Sequence, residues 1–191
     1  MQSPPPADDL RADASRNRAR VLEVARELLE AGEETLPMNT VARLAGVGVG
    51  TVYRHFPNRQ VLLESLAMGS FERLVEEARA AADDADPAAG LERLLRSVLN
   101  CQLNDVGLAA VLRSSENACD QTSALKAEML VVVGGLLERA RQVSVIRPDV
   151  SADDLRRLLC GFEVAVRLGT RDHGELDAYV NILLSGLRTD R

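Results

Sequence analysis

Side chains able to bind phosphates and nucleic-acid bases are concentrated in one short segment, residues 49–59. Its polar members are Thr51, Tyr53, Arg54, His55 and Arg59, and residues 39–60 contain no Asp or Glu. Hydroxyl, imidazole and guanidinium groups donate hydrogen bonds to phosphate oxygens, and an exposed arginine can bind guanine through two hydrogen bonds. An acid-free segment of this kind is compatible with a compact DNA-reading head, because the local field rather than the total charge steers binding.

Small and apolar residues in and around this segment have the spacing of a helix-turn-helix. Ala42 allows two short helices to cross closely, Gly46 allows a sharp turn, and Val52 holds the second helix in place. With Val52 and Phe56 turned inward, the outward positions are Val49, Gly50, Thr51, Tyr53 and Arg54. In such a motif the second helix enters the major groove of DNA.

Ordinary structural roles stay open for the same side chains. Tyr53 would also suit the edge of a core, His55 would also cap helix carbonyls, and Arg54 would also be a solvated charge. Arg59 stands at a helix start, where its charge opposes the helix dipole and an anionic partner would stabilise it. The arginines of segment 16–20 would reach phosphate or a minor groove, or equally belong to a solvated surface.

The segment 38–56, MNTVARLAGVGVGTVYRHF, resembles the helix-turn-helix of the tetracycline-repressor (TetR) family of bacterial regulators. The likeness extends over residues 18–66 and includes Asn58, Arg59 and the pair Leu62 and Leu63. This motif is specific because small, apolar, aromatic and basic positions must all coincide.

The resemblance implies two kinds of contact with double-stranded DNA. Phosphate contacts are implied for Thr51, Tyr53, His55 and Arg59, and base-edge contacts for Val49, Gly50 and Arg54. Pro37 departs from the family pattern, because a Ser or Thr usually caps the first motif helix there and touches phosphate. One short recognition helix gives little specificity, so we expect a homodimer that binds the paired half-sites of a palindromic operator.

Apolar residues recur at helical spacing along most of the chain, which predicts an all-α fold. No alternating strand pattern bounded by hairpin signals occurs. Three regions are predicted: a disordered tail over residues 1–14, a helix-turn-helix DNA-binding domain over 15–66, and a helical domain over 67–191, for which the family resemblance implies effector binding and dimerisation. The tail is inferred from Pro4, Pro5 and Pro6, since proline cannot lie in a helix interior.

The last two predicted helices form a packing pair. Each has an apolar stripe, and Gly161, Gly169 and Gly186 permit close approach of another helix. Two such helices from each protomer would make a four-helix dimer interface, or both stripes would bury into the protomer's own core. Glu163 and Arg167, four residues apart, predict an ion pair on a helix face.

Polar residues embedded in the apolar pattern of residues 91–143 are candidates for lining a small-molecule pocket. They include Gln102 and Glu116, and the effector contacts that we predict are Asn100, Asn104, Arg113 and Asn117. Surface positions and hydrogen bonds between helices would explain the same residues.

Signatures of catalysis and of metal binding are missing from the sequence. The only histidines are His55 and His173, no GxSxG or HExxH occurs, and the three cysteines include no CxxC pair. No apolar run approaches the roughly 20 residues that span a bilayer. We therefore expect no catalytic residue, metal, cofactor or membrane contact, and a reducing cytoplasm as the location.

The favoured hypothesis is a ligand-responsive transcriptional repressor. The net charge of −6 does not exclude DNA binding, because residues 1–60 carry eight Arg and eight acidic residues and the acidic excess lies beyond them. One alternative is a helical small-molecule-binding protein without specific DNA binding. Another is a helical enzyme subunit or assembly factor.

Overall fold

The computed structural model describes residues 7–33, 35–168 and 173–189. Nine helices lie within these residues: α1 (Ala7–Glu30), α2 (Met38–Ala45), α3 (Val49–His55), α4 (Arg59–Ala82), α5 (Pro87–Asn104), α6 (Val106–Arg113), α7 (Asp120–Gln142), α8 (Ala152–Leu168) and α9 (His173–Leu187). The described residues form no strand beyond one isolated bridge between Ile146 and Arg188. The predicted all-α fold is confirmed.

The chain divides into two compact units, residues 1–66 and 67–191. The first contains α1, α2, α3 and the first turns of α4. The second contains the rest of α4 and the five following helices. Their roles in binding DNA and an effector stay predictions.

The first unit has a small core built from one face of each helix. Fully buried members include Val21, Ala25, Val41, Ala42, Val52, Phe56 and Leu62. These residues repeat at three- and four-residue spacing, so each helix presents one apolar stripe to the others. The core holds α2 and α3 together and leaves the other face of α3 in solvent.

The prediction of a disordered tail over residues 1–14 is wrong for residues 7–14, which form the beginning of α1. Residues 1–6 lie outside the described residues. The prolines end at Pro6, and no Pro or Gly follows until Gly32. The segment therefore contains no helix breaker, and α1 continues toward the N-terminus past the point where its apolar periodicity begins.

The second unit has a leucine-rich core in which α5 is central. Leu91, Leu94, Leu95 and Leu99 of this helix are each at most 1% exposed. Gly90 lets α5 approach α4, because a Cβ at this position would lie 2.4 Å from the carbonyl oxygen of Ala81. The side chain of Asp86 accepts a hydrogen bond from the backbone N–H of Ala88 at 2.9 Å and caps α5.

A reciprocal pair of hydrogen bonds caps the start of α8. The backbone N–H of Asp154 donates to Ser151 Oγ at 3.1 Å, and the backbone N–H of Ser151 donates to the Asp154 carboxylate at 3.0 Å. This reciprocal pair satisfies donors that the helix itself leaves unpaired. Among the described helices, none combines the length and apolar character needed to cross a membrane.

Candidate functional site

The turn between α2 and α3 has the geometry that the helix-turn-helix spacing predicts. Gly46 ends α2 in the left-handed conformation, with φ 63°, and its N–H donates to the carbonyl of Arg43 at 3.2 Å. The N–H of Val47 donates to the carbonyl of Ala42 at 3.1 Å. Only glycine adopts this φ at little cost, so Gly46 fixes the angle at which α3 leaves α2.

The two faces of α3 differ sharply in exposure. Val52 and the following Phe56 are 0% exposed, whereas Val49 and Tyr53 are 42% and 45% exposed. Gly50 and Arg54 are also exposed, and Thr51 and His55 are half-buried. Tyr53 and Arg54 therefore project from the surface, which disfavours a core-edge role for Tyr53.

Arginines of α1 pack against this motif. The Arg18 guanidinium lies 5.3 Å from the centroid of the Phe56 ring, within cation–π range. A Cβ added at Gly46 would lie 2.9 Å from a guanidinium nitrogen of Arg20. Arg16 pairs with Asp13 within α1. Arg18 and Arg20 thus bring positive charge beside the turn and the end of α3.

Arg59 is the first residue of α4 and is half-buried. The preceding Asn58 caps this helix, accepting a hydrogen bond from the backbone N–H of Val61 at 2.9 Å. Pro37, which replaces the usual capping hydroxyl at the start of α2, provides no side-chain cap. The structure therefore brings all seven predicted DNA-contact residues to α3 and the start of α4.

A cavity of about 360 Å³ lies within the second unit. Its apolar walls consist of Phe71, Leu94, Val98, Leu112, Met129, Leu130, Val133, Ala152, Leu155 and Leu159, with the Cys160 thiol beside them. Its polar lining residues are Gln102, Ser114, Ser115, Lys126, Asp153, Arg156 and Arg157. The volume is in the range of small-molecule sites.

Gln102 lies at the buried end of this cavity and is 1% exposed. Its Nε2 lies 3.6 Å from Cys160 Sγ, and its Oε1 accepts no hydrogen bond from the residues that the structure describes. Burial raises the pKa of the Cys160 thiol, so this group is neutral at physiological pH. The two lining residues at the buried end, Gln102 and Cys160, are therefore uncharged, and the Oε1 of Gln102 is an unsatisfied acceptor there.

Charged groups lie at the solvent end. Asp153 binds Arg156 at 2.8 Å and Arg157 at 2.5 Å. Lys126 Nζ donates to the carbonyl of Ser114 at 2.8 Å. The lining thus contains three cationic side chains and one carboxylate.

The four residues predicted to contact an effector do not line this cavity. Asn100, Asn104 and Asn117 are exposed, and Asn104 donates from its side chain to the carbonyl of Asn100 at 2.9 Å. Arg113 is bound to Glu163 at 2.6 Å. Asn100 and Asn104 lie one turn apart on the solvent face of α5, and the cavity lies on its other face.

The helical periodicity of α5 would have been a better guide to the residue that lines the cavity. Residues 91, 94, 95, 98 and 99 are its buried apolar positions, and Gln102 continues that series. A polar residue in phase with a buried stripe must face the interior, which separates Gln102 from its exposed asparagine neighbours. Arg156 and Arg157 had no such signal, because half-exposed arginines on α8 resemble ordinary surface charges.

Glu163 is a buried carboxylate rather than a surface partner of Arg167. It is 0% exposed and binds Arg167, as predicted, and also Arg113. Arg167 also donates to the carbonyl of Gln102 at 2.6 Å. This cluster joins α5, α6 and α8 close to the buried end of the cavity.

The helices α8 and α9 have apolar residues on two faces. Leu155, Leu159 and Val180 are buried inside the protomer. The outer faces expose Leu158, Val164, Leu168 and Ile182 by 43%, 42%, 85% and 60%. Gly161 and Gly186 have open space where a Cβ would be, and Gly169 lies outside the described residues.

Two family models together match most of the chain. Residues 21–66 match the model of bacterial regulatory proteins of the tetR family, and residues 86–189 match the C-terminal domain of SbtR-like transcriptional regulators. The chain belongs to the TetR family of bacterial transcriptional regulators. The resemblance found in residues 18–66 is thereby confirmed.

Two curated regulators and one solved structure are similar to this chain. The HTH-type transcriptional repressor LfrR of Mycolicibacterium smegmatis is 30% identical over 180 residues, covering 91% of this chain and 92% of the relative. The HTH-type transcriptional regulator SAR0097 of Staphylococcus aureus is 41% identical over 58 residues, 29% of this chain and 30% of its own. The TetR regulator PfmR of Thermus thermophilus has the same fold, with a TM-score of 0.64 at 19% identity over 90% of this chain and 97% of that one.

Proposed function

We propose that this TetR regulator is a homodimeric repressor that binds a palindromic operator and is released by a small-molecule effector. The observation that carries the proposal is the exposed face of α3. Tyr53 and Arg54 project from a helix whose opposite side carries the fully buried Val52, within a segment free of acidic residues. Such a face suits the major groove, and DNA binding would make the cytoplasm the site of action.

The proposed DNA contacts fall into two groups. Thr51, Tyr53, His55 and Arg59 would bind phosphates, and Val49, Gly50 and Arg54 would face base edges. Supporting this division, Arg54 is exposed in the middle of α3 whereas Arg59 begins the next helix. Arg54 would bind guanine through O6 and N7, and phosphate contacts would set the orientation of the helix.

The proposed dimer interface is the outer face of α8 and α9. It combines four exposed apolar side chains with glycines that leave room for a partner helix. The rings of Phe162 on α8 and Tyr179 on α9 pack against each other, with their centroids 5.6 Å apart, and so join the two helices. Two such units would form a four-helix interface related by twofold symmetry, which matches the symmetry of a palindrome.

The proposed effector site is the cavity of the second unit. Phe71 of α4 lines it, and α4 begins with Arg59, one of the proposed phosphate contacts. An effector with higher affinity for a conformation that does not bind DNA would lower the population of the binding conformation. Operator affinity would then fall by at most the ratio of the effector's affinities for the two conformations.

The experiment that tests DNA recognition is enrichment of bound duplexes from a random library. The wild type is compared with the double variant Tyr53→Ala, Arg54→Ala and with Arg93→Ala, an exposed arginine of the second unit. We expect the wild type and Arg93→Ala to select the same palindrome, and the double variant to select none. A wild type that selects nothing at moderate salt while remaining dimeric would contradict the proposal.

A second candidate function is small-molecule binding without specific DNA recognition. The observation in its favour is the cavity, which contains an unsatisfied buried amide oxygen independently of anything on α3. Failure of the enrichment experiment, together with ligand binding in the cavity, would favour this candidate.

A further inference from the structure

The amide of Gln102 is the group in the cavity that most clearly needs a partner. The residue is 1% exposed, and its Oε1 accepts no hydrogen bond within the described part of the chain. A buried acceptor left unsatisfied costs free energy relative to its hydrated state. An occupant that donates an N–H or O–H to this oxygen would recover that cost.

The walls between the two ends of the cavity favour a ligand whose central part is apolar. They are formed by leucine, valine, methionine and phenylalanine side chains, including Phe71, Met129 and Leu159. Such walls provide contact area but almost no hydrogen bonding. The polar groups of an occupant therefore belong at its ends.

The solvent end of the cavity has an excess of positive donors. Arg156 and Arg157 share the single carboxylate of Asp153, and their side chains remain 38% and 68% exposed. Each guanidinium has five N–H donors, so one carboxylate and the carbonyl of Leu112 cannot use them all. An anionic group at this end would accept the remaining hydrogen bonds in charge-assisted form.

The two ends are separated by about one turn of α8. Arg156 and Cys160 lie four residues apart on one face of this helix, roughly 6 Å along its axis, and Gln102 contacts Cys160. An occupant that meets both ends therefore has its donor and its anionic group at opposite ends of a small apolar framework.

We propose that this cavity binds an amphipathic organic anion. Its apolar body lies against the leucine-rich walls, its N–H or O–H donates to Gln102 Oε1, and its anionic group binds Arg156 and Arg157. This inference rests on the proposed function for the role of the cavity as an effector site, and it adds the chemical class of the effector.

The test uses two fluorescent probes with the same framework. The first, 2-anilinonaphthalene-6-sulfonate, has its N–H and its sulfonate at opposite ends of the naphthalene, with a phenyl ring beyond the N–H. The second, N-phenyl-2-naphthylamine, has the same rings and N–H without the sulfonate. The neutral probe is the more hydrophobic of the two. Tighter binding of the sulfonate would therefore indicate an interaction with the two arginines rather than burial of apolar surface. We expect the wild type to bind the sulfonate at least about tenfold more tightly.

Three variants locate the interactions. The double variant Arg156→Gln, Arg157→Gln is expected to lose the preference for the sulfonate and to keep its affinity for the neutral probe, which also shows that the cavity is still folded. Gln102→Leu is expected to lower the binding affinity for both probes by roughly 2- to 10-fold. Arg93→Gln, an arginine outside the cavity, is the matched control and is expected to change neither affinity.

Several results would overturn the inference. They are equal affinity of the wild type for the two probes, a sulfonate preference that persists without the two arginines, and unchanged affinities in Gln102→Leu. These outcomes are independent of the enrichment experiment. Operator selection without sulfonate binding refutes the ligand class alone, whereas sulfonate binding without operator selection refutes the repressor.

Discussion

Glu163 accepts a hydrogen bond from Arg113 at 2.6 Å, although the carboxylate is fully buried and the two residues lie on different helices. Arg167 pairs with the same carboxylate and also holds the carbonyl of Gln102. A carboxylate removed from water is tolerated only where its charge is paired and its lone pairs are used. The two arginines therefore act together: by pairing with Glu163 and the Gln102 carbonyl, they fix the positions of α5, α6 and α8 relative to one another.

Removing both arginines should destabilise the second unit strongly. In Arg113→Leu, Arg167→Leu the buried carboxylate has no compensating charge, which costs about 3–5 kcal/mol of unfolding free energy. Adding Glu163→Leu should recover much of this loss, because a wholly apolar cluster replaces the ions. The loss in the double variant and the recovery in the triple variant are both measured by urea unfolding, monitored by circular dichroism. A triple variant no more stable than the double would show that the buried charge is not the cause.

Arg54 and Arg59 should respond differently to truncation. Arg54→Ala is expected to relax base preference at one position of each half-site, because the lost contact is to a base edge. Arg59→Ala is expected to weaken binding to all DNA sequences alike. It should also reduce the slope of log affinity against log salt concentration by about 1. Titration of operator and scrambled duplexes at several salt concentrations separates the two effects. Identical behaviour of the two variants would contradict their assigned roles.

Two glycines should have opposite responses to alanine. Gly90→Ala would place a Cβ 2.4 Å from the Ala81 carbonyl oxygen, so α4 and α5 must move apart at a cost of about 1–3 kcal/mol. Gly135→Ala, inside α7 with open space around it, should instead stabilise by about 0.5–1 kcal/mol. Chemical denaturation of the two variants beside the wild type checks the signs. A stabilising Gly90→Ala would refute the close helix crossing.

The start of α8 should make stability depend on pH in the acidic range. Hydrogen bonds from the Ser151 side chain and backbone lower the pKa of Asp154 below its ordinary value. Because the folded pKa is below the unfolded one, this stabilisation is present above the unfolded pKa and is lost as pH falls through the folded pKa. Ser151→Ala should therefore be less stable than the wild type at neutral pH, and the difference should shrink below about pH 4. A difference that stays constant down to pH 2 would contradict the role of the carboxylate.

The proposed dimer should dissociate when its apolar face becomes charged. Leu158→Glu, Ile182→Glu places carboxylates at two exposed positions of α8 and α9, where a partner would bury them without compensation. Sedimentation velocity should show a dimer for the wild type and a monomer for this variant. Leu44→Glu, at a 48% exposed position of α2, is the matched control and should remain dimeric. Dissociation of the control to the same extent would remove the evidence for this interface.

Several features of the N-terminal unit were predictable because they depend on short sequence separations. Gly46 ends α2 and Val52 is buried on α3, as the spacing of the motif required. Asn58 caps α4 through a neighbouring turn. The beginning of α1 was missed for a related reason, since helix propensity without an apolar pattern is a weak signal.

The sequence by itself determined the all-α class, the helix-turn-helix and the outward face of α3, because these follow from contacts three to ten residues apart. The phase of α5 was enough to place Gln102 on its buried face, but only the tertiary structure decided that a cavity borders this residue and that Glu163 is buried. Both outcomes depend on which helix faces meet across separations of 50 residues or more. Helical periodicity reveals that a face is apolar, but the helix that covers it is selected by packing of the whole unit.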